Sequence, residues 1–421
     1  MNVTLTNSTP NGKIKAIASK SAAHRALICA ALANDSTEII CTETNEDIEA
    51  TVRCLVALGA KITRRGESFI VLPIRYAPAS ATLDCGESGS TLRFLVPIVS
   101  ALGCEASFDM SGRLPNRPLS PLREELEAHG AVLSAAGSNP LTLSGRISAG
   151  TYKIRGDVSS QFISGLLFAL SITEGESRIE LESAIESAPY INMTLKTLYD
   201  FGADISIDER GFTLRGVKKL TSPKTVTVEG DWSNAAFMLA AGAVARGANV
   251  SVTALDAESL QGDRAILELL VRFGADVRRK GDKITVRSGE LYGIDIDATN
   301  IPDLVPILSV VAAAANGRTV IRGAARLKLK ESDRLSSVAE MLRTLGASIA
   351  KTDDGLIIDG GARLEGGVVS SCADHRIAMS AAVASLLCDG DVTVTGAEAV
   401  AKSYPAFWGD IASLGFNISK N

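Results

Sequence analysis

Six times along this chain, at intervals of 69 to 73 residues, a polar residue opens a long apolar segment: near Ser21, Ser90, Ser160, Ser233, Asp303 and Asp374. A repeat of that length constrains the fold more than any other feature, because each copy must form the same supersecondary unit and must stack on its neighbours to bury its apolar surface. In the clearest copy Ser159-Ser160-Gln161 is followed by Phe162-Ile163-Ser164-Gly165-Leu166-Leu167-Phe168-Ala169-Leu170 without a charge. That is about three turns of helix, and a helix apolar on every side belongs inside a core.

A second series runs in step with the first. Amphipathic segments end in glycine at Gly59, Gly130, Gly202, Gly274, Gly346 and Gly415, at intervals of 69 to 72 residues. Val338, Met341, Leu342 and Leu345 fall at i, i+3, i+4 and i+7, one apolar stripe with Gly346 placed to end the helix. Each unit therefore carries one buried helix, one half-buried outer helix and short β-rich runs such as Ile62–Leu72, Tyr152–Ile154, Val226–Glu229 and Lys283–Arg287. The fold class is α/β. At 421 residues the chain exceeds what one core holds, so two domains of three units each are expected, meeting near Val228–Asp231.

If six similar units place their buried helices alike, the helix N-termini point one way, each with unpaired N–H groups and a partial positive charge. Such a cluster attracts anions, and the same hydroxyls and carboxylates also serve as plain N-caps. The net charge of −5 gives no general pull toward nucleic acid, so any anion site is local. Seven cysteines, odd in number and without Cys-x-x-Cys spacing, suit reduced thiols in a cytosol. The three histidines, His24, His129 and His375, lack metal-ligand spacing, so no metal and no cofactor are expected. Ala22–Ala33 is too short to span a bilayer and no cleavable leader is visible, which predicts a soluble, unprocessed, cytoplasmic chain.

Cations gather at the polar helix starts. Lys20-Ser21 with Arg25 offers a point charge, a hydroxyl and a guanidinium. Cys85-Gly86-Glu87-Ser88-Gly89-Ser90-Thr91-Leu92-Arg93 joins glycines that allow close backbone approach to a capped helix. The loop Ser111–Leu119 carries Arg113 and Arg117 between glycine and prolines, and Ser187-Ala188-Pro189-Tyr190 adds hydroxyls. Later come Pro302-Asp303, Lys330-Glu331-Ser332-Asp333-Arg334, Asp374-His375-Arg376 and Lys402. Each alone also reads as a cap, an exposed loop or a solvated charged face. Pro97, inside one apolar segment, is expected to kink its helix.

In these motifs, taken in order over nearly the whole chain, the sequence resembles the enolpyruvyl transferases, on the branch that acts on shikimate 3-phosphate. The resemblance implies two domains of three α/β units, an inside-out α/β barrel arrangement of buried parallel helices within sheets. It implies residues 1–18 plus 229–421 as the phosphoenolpyruvate side, completed by the N-terminal strand, residues 19–228 as the shikimate 3-phosphate side, and a site in the cleft between them. The implied reaction moves the enolpyruvyl group of phosphoenolpyruvate to the 5-hydroxyl of shikimate 3-phosphate and releases phosphate. By resemblance Lys20, Gly89, Arg117, Gln161, Arg334, Arg376 and Lys402 hold phosphoenolpyruvate. Lys20, Ser21, Arg25, Ser159, Ser160, Gln161, Ser187, Tyr190, Asp303 and Lys330 hold shikimate 3-phosphate. Asp303, Glu331 and Lys20 are the implied catalytic groups, Asp303 as base for the 5-hydroxyl and Glu331 for the proton at the methylene carbon. The partners are these two small molecules, with no nucleic acid or membrane, and the chain is expected to be a monomer.

Two positions depart from the family pattern. Glu87 stands where many members carry Asn, and Arg326 stands four residues before Lys330, where some place a substrate-binding Asn. Three other readings stay open. One is the related transferase acting on UDP-N-acetylglucosamine, which usually presents a reactive cysteine in the loop matching 111–119, where this chain has none. Another is an RNA 3′-terminal phosphate cyclase, whose nucleotide chemistry has no counterpart here, and the last is an inactive anion-binding module.

Overall fold

The computed structural model describes residues 1–420. Twelve α-helices follow one another as α1 (Lys20–Ala31), α2 (Glu46–Ala57), α3 (Gly89–Leu102), α4 (Leu122–Ala128), α5 (Ser160–Ser171), α6 (Ala188–Asp200), α7 (Trp232–Val244), α8 (Ile266–Phe273), α9 (Val305–Ala314), α10 (Arg334–Thr344), α11 (His375–Ala384) and α12 (Phe407–Ser413). Odd-numbered helices are the buried ones, with residues such as Leu27, Phe94, Leu167, Phe237, Leu308 and Ile377 wholly out of solvent or nearly so. Even-numbered helices are amphipathic, and each is followed by a left-handed glycine: Gly59, Gly130, Gly202, Gly274, Gly346 and Gly415, with φ between 75° and 110°.

Six four-stranded sheets alternate with these helices, and all six share one plan. The outer strand runs parallel to the second, and the next two are antiparallel, as in Ser80–Gly86, Glu105–Met110, Leu141–Ser144 and Val132–Leu133. Two compact units result: Ala18–Val228, and Met1–Ile17 together with the residues from Glu229 onward. Each unit holds one contiguous apolar core built around three odd-numbered helices.

In both units some sheets join strands that lie far apart in the chain. In the first, the parallel outer strand beside Thr37–Ile40 is Thr225–Thr227, from the unit's other end. In the second, Asn11–Lys15 lies parallel to Asn249–Thr253, while Asn2–Thr6 pairs with both Val392–Thr395 and Asn417–Lys420.

Pro97 lies inside α3 and meets α5 at a close crossing. Lacking an N–H, it cannot donate to the carbonyl of Arg93, one turn earlier. Gly165 of α5 is seated on that carbonyl: a Cβ there would overlap the Arg93 oxygen and lie 2.9 Å from Pro97 Cγ. The two helices approach closely because one has no side chain and the other no N–H at the crossing.

Among the described residues no helix is long and apolar enough to cross a membrane.

Candidate active site

Four of the six buried helices are capped one or two residues earlier than the repeat suggests, which changes what their hydroxyls do. Ser19, Ser88, Ser159, Asp231 and Asp374 are the N-caps, each accepting from a backbone N–H in the first turn, whereas α9 follows the 3-10 turn Pro302–Leu304 and has no side-chain cap. Ser21, Ser90, Ser233 and Asp303 are thereby released from capping. Ser90 Oγ accepts from Gln161 Nε2 at 2.9 Å, Ser233 donates to Asp263, and Asp303 forms ion pairs.

In the unit Ala18–Val228 two groups form. At α1, Lys20 Nζ meets Asp47 Oδ2 at 2.8 Å. Arg25 is buried and donates to Thr194 Oγ1 at 2.8 Å, to the Ser21 carbonyl at 2.7 Å and to the Tyr190 carbonyl at 2.8 Å. Burial lowers its pKa to about 10, and two of its five N–H groups join α1 to α6 while a third returns to α1. Ser187 precedes α6 in a left-handed conformation, φ 56°, and is buried.

The second group collects at the start of α3. A Cβ on Gly89 would fall 2.8 Å from Arg117 Nη1 and 2.9 Å from Arg93 Nη1, so two guanidiniums crowd the space a side chain would take. Gln161, in the first turn of α5, accepts from Arg93 Nη1 at 2.9 Å. Ser160 is buried beside it. The Glu87 carboxyl lies against Gly112, whose φ of 56° and missing Cβ make room for it. The loop bearing Arg113 and Arg117 is further tied by Ser111 N donating to the Gly86 carbonyl at 2.8 Å.

A buried run of hydroxyls links both groups: His24 Nδ1 to Thr51 Oγ1 at 2.7 Å, Thr51 to Thr91 at 2.6 Å, and Thr91 to Ser88 at 2.7 Å. Burial pushes the His24 pKa down to about 3, so the imidazole is neutral.

In the other unit the motifs from 302 to 376 converge. Arg334, 2% exposed, donates to Asp374 Oδ2 at 2.8 Å, Asp303 Oδ1 at 2.8 Å and Glu331 Oε2 at 2.8 Å. Burial would disfavour its charge, but Asp374, Glu331 and Asp303 outweigh that and lock it protonated. Asp303 is also approached by Lys330 Nζ at 3.4 Å and Arg376 Nη2 at 3.4 Å, and Arg376 Nη1 donates to the Asp303 carbonyl at 3.0 Å. Burial works to raise the Asp303 pKa, yet Arg376, Lys330 and Arg334 hold it well below the usual carboxylate range. Lys402 ends the 3-10 turn Ala397–Lys402 and is buried, and its neighbour Ser403 accepts from Asn234 of α7 at 3.1 Å. Arg326 Nη2 donates to the Thr299 carbonyl at 2.9 Å.

Asp263 was not apparent from the sequence. Fully buried, it bonds Ser233, and burial together with the Asp303 charge lifts its pKa to about 7 against the pull of Arg376 and Ser233. Of this coupled pair, Asp303 keeps the charge and Asp263 the proton. Asp47 was likewise missed, since Glu46, Asp47 and Glu49 read as an acidic first turn of α2. Among the described residues no three His, Cys, Asp or Glu side chains are grouped to hold a metal ion. The carboxylates are partnered by guanidiniums and ammoniums, which suits exchange with an anionic ligand.

The family profile described as EPSP synthase (3-phosphoshikimate 1-carboxyvinyltransferase) matches residues 6–411. The 3-phosphoshikimate 1-carboxyvinyltransferase of Clostridium novyi is 40% identical over 426 residues, covering 98% of this chain and 97% of that one. The enzyme of the same name from Methanocorpusculum labreanum is 38% identical, covering 99% of both. Among solved structures, EPSP synthase from Acinetobacter baumannii superimposes with a TM-score of 0.82 at 28% identity over 100% of both chains.

Proposed function

The chain belongs to the EPSP synthase family, and from that premise we propose how its own residues divide the transfer of the enolpyruvyl group from phosphoenolpyruvate to the 5-hydroxyl of shikimate 3-phosphate. The observation that carries the reading is Asp303, a half-buried carboxylate ringed by Lys330, Arg334 and Arg376. Such a ring is built to share its charge with a second anion. A carboxylate held this low is a feeble base. When the phosphate and carboxylate of phosphoenolpyruvate take over donors of Arg334 and Arg376, the pull on Asp303 weakens and its proton affinity climbs toward the working range. Ligand binding thus switches on the base.

Asp303 then accepts the 5-hydroxyl proton as the oxygen bonds to C2 of phosphoenolpyruvate, and Glu331, protonated, delivers a proton to C3. Loss of a C3 proton back to Glu331 restores the double bond as phosphate departs. Glu331 accepts from Arg334 in the free protein, and the ligand's carboxylate would displace it from that guanidinium. Lys20, Gly89, Arg117, Gln161, Arg334, Arg376 and Lys402 hold phosphoenolpyruvate in this reading. Lys20, Ser21, Arg25, Ser159, Ser160, Gln161, Ser187, Tyr190, Asp303 and Lys330 hold shikimate 3-phosphate, so residues of both units serve one reaction. No step requires a cofactor. All seven cysteines are free, which supports placing the protein in the reducing cytoplasm, and we assign it as a monomer.

Phosphate release from phosphoenolpyruvate, measured with purified protein and no added metal, tests the assignment. Release with shikimate 3-phosphate and not with UDP-N-acetylglucosamine is expected. The reverse outcome, or none with either, refutes it.

A further inference from the structure

Arg93 stands in none of the ligand sets above, yet it is 4% exposed and reaches two of the elements that carry proposed phosphoenolpyruvate ligands, α5 and the loop of Arg117. Its Nη1 donates to Gln161 Oε1 at 2.9 Å, and its Nη2 to the Pro118 carbonyl, next to Arg117, at 3.3 Å. The guanidinium also lies 5.7 Å from the centre of the Phe162 ring and beside Gly89. Its own backbone carbonyl is the one that Gly165 covers.

The amide of Gln161 has two chemically different ends, an acceptor and a donor, which a half-turn about its last bond exchanges. The hydroxyl of Ser90, its other partner, can serve either end. Arg93 cannot: a guanidinium only donates, so it tolerates the oxygen and repels the NH₂ group. With Oε1 held by Arg93 and one Nε2 hydrogen on Ser90, the second Nε2 hydrogen is left as a donor for an anion. Rotated, the same side chain would turn an acceptor to that place.

We propose that Arg93 is a positioning residue for the phosphoenolpyruvate ligands of the unit Ala18–Val228, fixing Gln161 with its donor end toward the ligand and seating the chain next to Arg117 through the Pro118 carbonyl. This rests on the assignment of Gln161 and Arg117 to phosphoenolpyruvate. Arg93 itself need not touch either substrate. Lysine would keep the charge but not the planar fork that serves two oxygens at once.

The test is a double-mutant cycle on kcat/KM for phosphoenolpyruvate at saturating shikimate 3-phosphate. Arg93→Lys should lower it about 10- to 100-fold, chiefly through KM, the range for losing a charged hydrogen bond. In a Gln161→Ala background the same substitution should cost less than about threefold, because the amide through which it acts is gone. Equal losses in both backgrounds overturn the proposal. If Arg93→Lys does not fold, Arg93→Met keeps the stem over Phe162, leaves no charge buried and takes its place in the cycle. A second readout does not depend on the ligand assignment: the side-chain amide ¹H–¹⁵N signals of Gln161, identified by their loss in Gln161→Ala, should shift in Arg93→Lys. Unshifted amide signals overturn the orienting role. Shifted signals with an unchanged phosphoenolpyruvate KM in Gln161→Ala would sustain it while removing the ligand assignment beneath.

Discussion

Replacing Gly165 by alanine sets two effects against each other, and the geometry decides between them. In a helix interior alanine is favoured over glycine by ~1 kcal/mol. The new methyl, however, would overlap the Arg93 carbonyl and stand 2.9 Å from Pro97 Cγ, closer than real Cβ contacts come. Neither neighbour can rotate away, since one is backbone and the other a ring, so α3 and α5 must separate. Overpacking of this kind costs ~1–3 kcal/mol, and a gap of 0.5–1 Å along a helix interface forfeits roughly a quarter to a half of each contact's attraction, which places the cost near the top of that range. The net expectation is a loss of about 2 kcal/mol, or a melting temperature lower by ~4–8 °C for a unit of this size. Gly409, in α12, provides the control: a Cβ there meets nothing within 4 Å, so Gly409→Ala should be neutral or stabilising. Differential scanning calorimetry of both variants distinguishes the terms. A Gly165→Ala protein as stable as the parent would show that the close approach is not needed and that Pro97 lacks the role given to it here.

Asp303→Ala should keep binding both substrates while turnover falls by about 10²-fold or more; normal turnover would remove Asp303 from the mechanism. Arg117→Ala should weaken phosphoenolpyruvate by ~1.5–3 kcal/mol in a calorimetric titration with shikimate 3-phosphate present, and an unaltered Kd would contradict its assignment. Asp263 keeps its proton up to about 7 in the fold, against the usual 3.8, so between those values the native state binds more protons than the unfolded one. Stability therefore falls as pH rises through that window, by at most ~1.4 kcal/mol per pH unit. Urea midpoints should move in favour of Asp263→Asn between pH 5 and pH 7, whereas a constant offset would mean that Asp263 is not the group responsible.

The repeat was legible because it is local. A polar start, an uncharged dozen residues and a glycine stop can each be read within one stretch, and the six left-handed glycines stand where the spacing puts them. The cap positions were less legible: Ser19 and Ser21, or Ser88 and Ser90, are both sound caps by chemistry, and only the backbone conformation of Ser19 and Ser88 chooses between them. That choice matters, since the hydroxyl not used for capping is the one left to act. What sequence could not supply depends on distant pairings. Asp47 reads as a complement to its own helix dipole until Lys20 is seen 2.8 Å away. Pro97 gains a purpose only beside Gly165. The resemblance implied one N-terminal strand in the C-terminal domain, while two strands, Asn2–Thr6 and Asn11–Lys15, complete two different sheets.

Those two strands set a timetable for synthesis. Residues 18–228 contain all they need to form their three sheets and can fold as soon as they leave the ribosome. The opening segment cannot join them. Asn11–Lys15 waits for Asn249–Thr253, and Asn2–Thr6 waits for Val392–Thr395 and Asn417–Lys420, made about 400 residues later. At ~5–20 residues per second that is on the order of 20–80 s during which an alternating, β-prone strand has no edge to pair with. Moving residues 1–17 behind the C-terminus would abolish the wait, giving a circularly permuted chain whose two units emerge whole, one after the other.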